Sequence, residues 1–284
     1  MNWMKFRFFY FALSLSIIIP GVYSLIRFGL LPSVEFTGGS VLELDITNPN
    51  SDQINNLLTD HAIYQLSLSQ NRVTIKLEPI NQKQVEEIKT KLREKFEKVE
   101  VVSFTSIGPS IGRQLLTKAL TAIAIAATLT LLYTAYTFKN LTYGLSAIIA
   151  MLHDTLILLG SYSILGHFFG IQADLLFVTA VLTTLSFSVH DTIVVFDRIR
   201  ELKNKKHLSS FEALANQAVT ETMARSINNS LTIIFMLLAL VLLGGETIHN
   251  FALALLIGAI TGTYSSTFNA IPLLVTWNKL IQKK

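Results

Sequence analysis

The chain has 284 residues, 51% hydrophobic and 15% charged, with a formal net charge of +4 and a mean hydropathy of +0.49. A soluble protein of this length carries more charge, so the composition points to an integral membrane protein and not to a nucleic-acid binder; the small basic excess fits Lys and Arg in cytoplasmic loops. The absence of cysteine removes disulfides, thiol catalysis and Cys-ligated metals, and no other pattern in the chain calls for a cofactor, a metal or enzymatic catalysis.

Six apolar stretches, 8–26, 115–137, 141–165, 174–197, 226–243 and 250–277, are near or above the ~20 residues that span a bilayer as a helix. The first follows Lys5 and Arg7, and Val22-Tyr23-Ser24 resembles a cleavage site. Its apolar run exceeds the ~7–15 residues of a signal-peptide core, so an uncleaved anchor is expected over residues 1–31. Residues 32–112 then read as a small external domain. "VEFTGGSVLELDI" alternates as a strand, with Gly38-Gly39 as a bulge or bend. "SDQINNLLTDHA" runs as a helix capped by Ser51 and Asp52. "IYQLSLS" and "RVTIKLEP" alternate around the pair Gln70-Asn71, the pattern of a hairpin. Val85, Ile88, Leu92 and Phe96 recur at spacings of three and four, an amphipathic helix over 81–97, and "VEVVSFTSI" closes the domain as a strand. The order β-α-β-β-α-β is the ferredoxin-like arrangement. The expected fold is therefore an α-helical polytopic membrane protein: six transmembrane helices, with an α+β domain between helices 1 and 2.

Residues 113–284 hold the remaining spans. Lys5 and Arg7 precede span 1, Lys139 sits between spans 2 and 3, a basic run from Arg198 to Lys206 follows span 4, and Lys279, Lys283 and Lys284 follow span 6, whereas "GHFFGIQAD" and "GGETIHN" contain no Lys or Arg. The excess of Lys and Arg marks the cytoplasmic side. Both termini and a solvated loop over 198–225 are thus expected inside, and residues 32–112 outside. The amphipathic part of that loop, with Phe211, Leu214, Ala218 and Thr222 on one face, is expected to lie along the membrane surface and lead into span 5.

Ionisable side chains within such spans are costly and usually have a partner or a task. Span 4 contains "FSVHDTIVVFDRIRE". Thr184, Ser188 and Asp191 share one helix face, and Asp191 lies seven residues before Arg198, about 10 Å deep at ~1.5 Å rise per residue. His190 points ~100° away from Asp191. Span 3 carries a second pair, His153 and Asp154, and span 5 opens with Arg225, Asn228, Asn229 and Ser230. An acid in span 4 and an Arg at the head of span 5 are placed to form an ion pair that protonation would break. That is either a proton relay built on Asp191 and Arg225 or a structural tie between two helices. His190, His153, Asp154, Asn228 and Ser188 are secondary candidates, for the proton site or for packing. On span 6, Gly258 and Gly262 form a small-residue packing face, beside a polar stripe of Thr261, Ser265 and Asn269 that reads as packing too.

Four segments carry a resemblance to a known family. "VEFTGGS", "IGPSIGRQL", "HDTIVVFDRIRE" and "ARSINNSLT" resemble, in order, the elements after span 1, before span 2, in span 4 and at the start of span 5 of the SecF family, and the likeness runs from the anchor to the sixth span. It departs at His190, where the family commonly has Asn, and at Asn229, where Thr is common. The resemblance implies an RND-superfamily membrane subunit of bacterial protein export. Such a subunit pairs with SecD, associates with the SecYEG channel in the inner membrane, and uses the proton gradient to promote late-stage translocation of preproteins. It places the proton-site acid on Asp191 and its basic partner on Arg225. Its surroundings are membrane lipid and the translocating preprotein, with no nucleic acid. Two other functions stay open at this point: a passive membrane scaffold for a partner, and half of an RND-type exporter of small molecules.

Overall fold

The computed structural model describes residues 2–138, 140–205 and 210–282; Lys139, Lys206, Lys283 and Lys284, used above to orient the spans, lie outside them. The chain divides into two compact units, residues 32–120 and residues 1–31 with 121–284.

The smaller unit is a four-stranded antiparallel sheet of order β2-β3-β1-β4. Its strands are β1 (Gly39–Ile46), β2 (Ile63–Ser69), β3 (Arg72–Leu77) and β4 (Val99–Ile107). Three helices belong to the same stretch: α2 (Val34–Thr37), α3 (Ser51–Leu57) and α4 (Gln82–Arg93), numbered after α1 of the membrane part. Alternation buries Leu42, Leu44 and Ile46 of β1 and Val73, Ile75 and Leu77 of β3. Against that face lie Ile54 of α3 and Val85, Ile88 and Leu92 of α4, with Phe96 just beyond. The ferredoxin-like order and the core face of α4 are those the periodicity predicts. Two local expectations are corrected. Residues 34–37 form a helical turn, not the start of the strand, because the Ser33 hydroxyl accepts from the Glu35 amide and caps it. The cap of α3 is Asn50, whose Oδ1 accepts from the amides of Asp52 and Gln53 at 3.0 and 3.1 Å. Gly38 does mark a bend: its φ is +79°, and a Cβ there would lie 2.7 Å from Pro109 Cα, so only glycine fits. At the hairpin, Gln70 takes φ +50°.

Among the described residues, six helices are long and apolar enough to cross a membrane: Trp3–Phe28, Pro109–Phe138, Leu141–Phe169, Leu175–Asn204, Phe211–Leu243 and Ile248–Ile281. We number the main elements α1 (Arg7–Phe28), α5 (Pro109–Phe138), α6 (Leu141–Phe169), α7 (Leu175–Lys205) and α8 (Phe211–Leu243). The sixth span is built from α9 (Glu246–Ser265), a π-helical turn (Ser266–Ala270) and α10 (Ile271–Gln282). In lipid there is no hydrophobic force between helices, so small residues and interhelical hydrogen bonds decide where they meet. α1 meets α6 in this way. A Cβ at Gly160 would lie 2.6 Å from Gly21 Cα, Ser24 and Ser163 share a 2.8 Å hydrogen bond, and Ser163 Oγ lies 2.7 Å from the Gly29 carbonyl. α9 meets α7 through Gly258, packed on Thr184, and Gly262, packed on Ser188.

The expected loop over 198–225 is not a loop where it is described. α7 continues through Lys205, and α8 starts at Phe211 as one unbroken helix. Arg198 is not a free topogenic charge, since it bonds Glu201 and Glu221. The apolar face at the start of α8 is covered by protein and does not lie on lipid. Leu214, Ala215, Ala218 and Val219 join Phe196, Ile199 and Leu202 of α7 and Ile271 and Leu274 of α10 in one cluster. An i, i+4 apolar stripe reports that something covers it, not what.

Candidate functional site

Asp191 sits on α7 among Val, Ile and Thr neighbours, half-buried. Its carboxylate accepts from Ser230 Oγ of α8 at 3.4 Å. It lines a cavity of about 540 Å³ between α7, α8 and α9, along with His190, Asn229, Ser230 and Thr263. One turn before it, Ser188 Oγ is buried with no hydrogen-bond partner among the described residues, and so is Thr184 Oγ1 another turn back. By contrast Thr179, Thr183 and Thr192 on the same helix each donate to the carbonyl four residues earlier. The face that leads to Asp191 thus carries two uncommitted hydroxyls. His190 is exposed; it borders this cavity and a second one of about 660 Å³ that Leu129, Tyr133 and Leu185 also line.

Arg225 is not beside Asp191. It is exposed, and it lines a separate cavity of about 770 Å³ with Asp197, Arg198, Arg200, Glu201 and Glu221. The ion pair expected between them is therefore absent in this arrangement. The reason is axial register: Ser230, which meets Asp191, lies five residues beyond Arg225 on α8, about 7.5 Å along the axis and ~140° around it. Residue types show that two groups are complementary, but not that their helices are in phase. Asn228 is exposed on α8 and is not among the residues lining the Asp191 cavity; its neighbour Asn229 is.

His153 and Asp154 are together and buried, Nδ1 to Oδ1 2.8 Å. Asp154 also accepts from Ser265 Oγ at 2.6 Å, and His153 Nε2 meets Asn269 Nδ2 at 3.0 Å. Of the polar stripe on span 6, Ser265 and Asn269 therefore hold the pair in α6, while Thr261 donates to the Ile257 and Gly258 carbonyls of its own helix. Ser14 of α1, which the sequence did not single out, donates to Asn269 Oδ1 at 3.0 Å. Its signal was faint: one serine among aromatic and aliphatic residues.

Chemically, the Asp191 site offers one carboxylate, open to a cavity, with a hydroxyl donor, an amide and the His190 imidazole nearby and, among the described residues, no Lys or Arg paired with it. Such a group can take up and release a proton. The fold and this site define a class: a polytopic α-helical membrane protein with a ferredoxin-like domain after its first span and ionisable groups inside its helical unit. Residues 87–280 match the family described as protein export membrane protein SecD/SecF, C-terminal. The chain is 42% identical to the protein translocase subunit SecF of Thermobaculum terrenum, over 96% of this chain and 93% of that one. It is 39% identical to the SecF subunit of Anaerolinea thermophila, over 98% and 94%. Its fold is similar to the crystal structure of SecDF from Thermus thermophilus, described as a translocon-associated membrane protein, with a TM-score of 0.87 and 30% identity over 98% of this chain. It spans only 39% of that longer chain. The chain belongs to the SecD/SecF family of protein-export membrane proteins.

Proposed function

We propose that the chain is a SecF-type subunit that works with a SecD-type partner beside the SecYEG channel. In this reading it sits in a bacterial inner membrane with both termini inside and residues 32–112 outside, and it uses the proton gradient to promote late steps of preprotein translocation. Asp191 is the proton-binding group and Arg225 its alternating counter-charge. The observation that carries the reading is the state of Asp191: a half-buried carboxyl on an apolar helix, open to a cavity and bonded only weakly to Ser230, at 3.4 Å.

Ionised, Asp191 holds Ser230 and leaves Arg225 to its acidic neighbours near the end of α7. A shift of α8 against α7 by about one turn, ~5.4 Å, is what brings the guanidinium toward the carboxylate. Proton binding removes the attraction, and the helices return. Each proton crossing the full field supplies about 2.3 kcal/mol per 100 mV, enough to bias two packed arrangements that differ by a few kcal/mol. Nothing in this cycle needs a fixed Asp191–Arg225 bridge, and the passive-scaffold reading does.

The test is Asp191→Asn, which mimics the protonated acid permanently. It should assemble with its partner and lose proton-gradient-dependent export in membrane vesicles. Export at the wild-type rate across a range of pH would end the proton-site reading; failure to assemble would return Asp191 to a structural role.

A further inference from the structure

Asp191 is half-buried, and among the described residues of the membrane unit two histidine or carboxylate side chains are buried outright, His153 at 8% exposure and Asp154 at 0%. The directions of the hydrogen bonds around them follow from donor and acceptor chemistry. A carboxylate only accepts. With Asp154 ionised, Oδ2 takes the Ser265 hydroxyl and Oδ1 takes Nδ1–H of His153. The imidazole proton is thus on Nδ1 and Nε2 is an acceptor, which fits the Asn269 amide nitrogen 3.0 Å away. Asn269 Oδ1 then accepts from Ser14 Oγ, 3.0 Å away. One directed chain runs from α1 through the sixth span to α6, and it is complete with one negative charge on Asp154 and a neutral His153.

A further proton disturbs one link in particular. The hydrogen between Nδ1 and Oδ1 has two placements, imidazolium with carboxylate or neutral imidazole with carboxylic acid. In both forms Nε2 carries a hydrogen, and that hydrogen points at the Asn269 amino group, donor against donor. The conflict is relieved by a half-turn of the Asn269 amide. Oδ1 then faces Nε2–H, and the amino group faces Ser14 Oγ, which becomes an acceptor and turns its own hydrogen to Tyr264 Oη, 3.4 Å away. Asn269 lies within the π-helical turn Ser266–Ala270. Such a turn is an irregularity in the backbone ladder and recurs at functional sites. Proton uptake at His153 is thus read where the sixth span changes from α9 to α10. The pair is not sealed off: Ser14, His153 and Asn269 are the polar members of the lining of a crevice of about 390 Å³ between α1, α6 and α10. Among the described residues, the other titratable groups facing the pair are Tyr264, with its ring centroid 6.3 Å from that of His153, and beyond it Tyr10, whose carbonyl accepts from Tyr264. On α7, Asp191 is bonded to Ser230 of α8 instead.

We infer that His153–Asp154 is a second proton-binding site, distinct from Asp191, whose occupancy is read by the Asn269 amide and passed between α6, the π-helical turn and α1. The inference does not rest on the role proposed for Asp191. It is tested on the full chain in lipid, with ¹⁵N-labelled histidine and the other five histidines replaced by glutamine, by solid-state NMR from about pH 5 to about pH 8. The expected result is that Nε2 is bare at the alkaline end and protonated at the acid end, with the Asn269 side-chain amide signal changing at the same midpoint. Should the five-glutamine background not fold, single His→Gln substitutions identify the His153 signal by difference. A His153 that keeps a bare Nε2 throughout overturns the inference, as does an Asn269 signal indifferent to the titration. In Asp191→Asn the titration of His153 should persist; its loss would show that the two groups form one site. A functional arm uses His153→Gln. It should assemble and export, but with a pH profile displaced from wild type by about one unit or more. Superimposable profiles would leave His153 a packing residue.

Discussion

At Gly160 a single methyl group meets a backbone. The Cβ of an alanine there would lie 2.6 Å from Gly21 Cα, whereas one at Gly21 would lie 3.1 Å from Gly160 Cα. Neither neighbour is the end of a flexible side chain, so the helices must part. Overpacking of this kind costs about 1–3 kcal/mol. Gly160→Ala is expected to fall in that range and to exceed Gly21→Ala, measured as the loss of unfolding free energy of the intact chain in detergent. Equal and negligible effects would mean that α1 and α6 are not in close contact. A second residue-scale expectation concerns Lys91 Nζ and Asp60 Oδ2, 2.6 Å apart on the ferredoxin-like domain. The ammonium group holds the Asp60 carboxyl below its usual 3.8 by hydrogen bonding and then by charge. A depressed folded-state value means that the pair contributes above the unfolded pKa and that the contribution fades as the pH falls through the folded one. Asp60→Asn should therefore differ from wild type in the midpoint of domain unfolding at neutral pH, with the two curves converging well below pH 3.8. The difference should be small, because the pair is exposed.

At the scale of elements, Leu92 is the sharpest test of the domain core. It is fully buried on α4 with Val85 and Ile88. Leu92→Ala should cost about 2–5 kcal/mol, read as faster amide exchange along α4 in the intact chain; a change under about half a kcal/mol lies outside what a core leucine allows. The face of α4 was legible because a one-sided amphipathic helix must turn its apolar stripe to the sheet. The strand order was legible because the ferredoxin-like arrangement follows from the order of elements. Val34 and Phe36 misled because two apolar residues at i, i+2 suit a strand and a short helical turn equally well, and the Ser33 cap decides. The ends of α7 and α8 were missed for a related reason: hydropathy marks the lipid-soluble part of a helix, while hydrogen bonding continues past it. Within the site, Asp191 and His153–Asp154 stood out as charges among aliphatics. Ser265 and Asn269 stood out as a polar stripe for packing and not as partners of that pair, and Ser14 did not stand out at all. Ser265 and Asn269 lie 111 and 116 residues from the groups they bond, and Ser14 lies 255 from Asn269. No local pattern encodes a pairing at such a distance.

For the whole molecule, the distribution of Lys and Arg makes a prediction that depends on no side-chain contact. The chain has no cysteine, so single introduced thiols are unambiguous. Lys89→Cys should react with an impermeant thiol reagent in intact cells, and Lys203→Cys only after the membrane is opened; the reverse pattern would invert the proposed topology. The contact between Gly21 and Gly160 also has a consequence in time. The two glycines are 139 residues apart, and ribosomes add about 5–20 residues per second. Once α1 has left the ribosome, its docking groove on α6 does not exist for roughly 7–28 s at those rates. During that interval α1 must keep its place without that contact, while the ferredoxin-like domain that follows it is made. Its largely aliphatic and aromatic surface is therefore a requirement of biogenesis as much as of the finished fold. A polar substitution at an exposed position such as Ile19 or Ile26 would act on the nascent chain before it acted on the assembled protein.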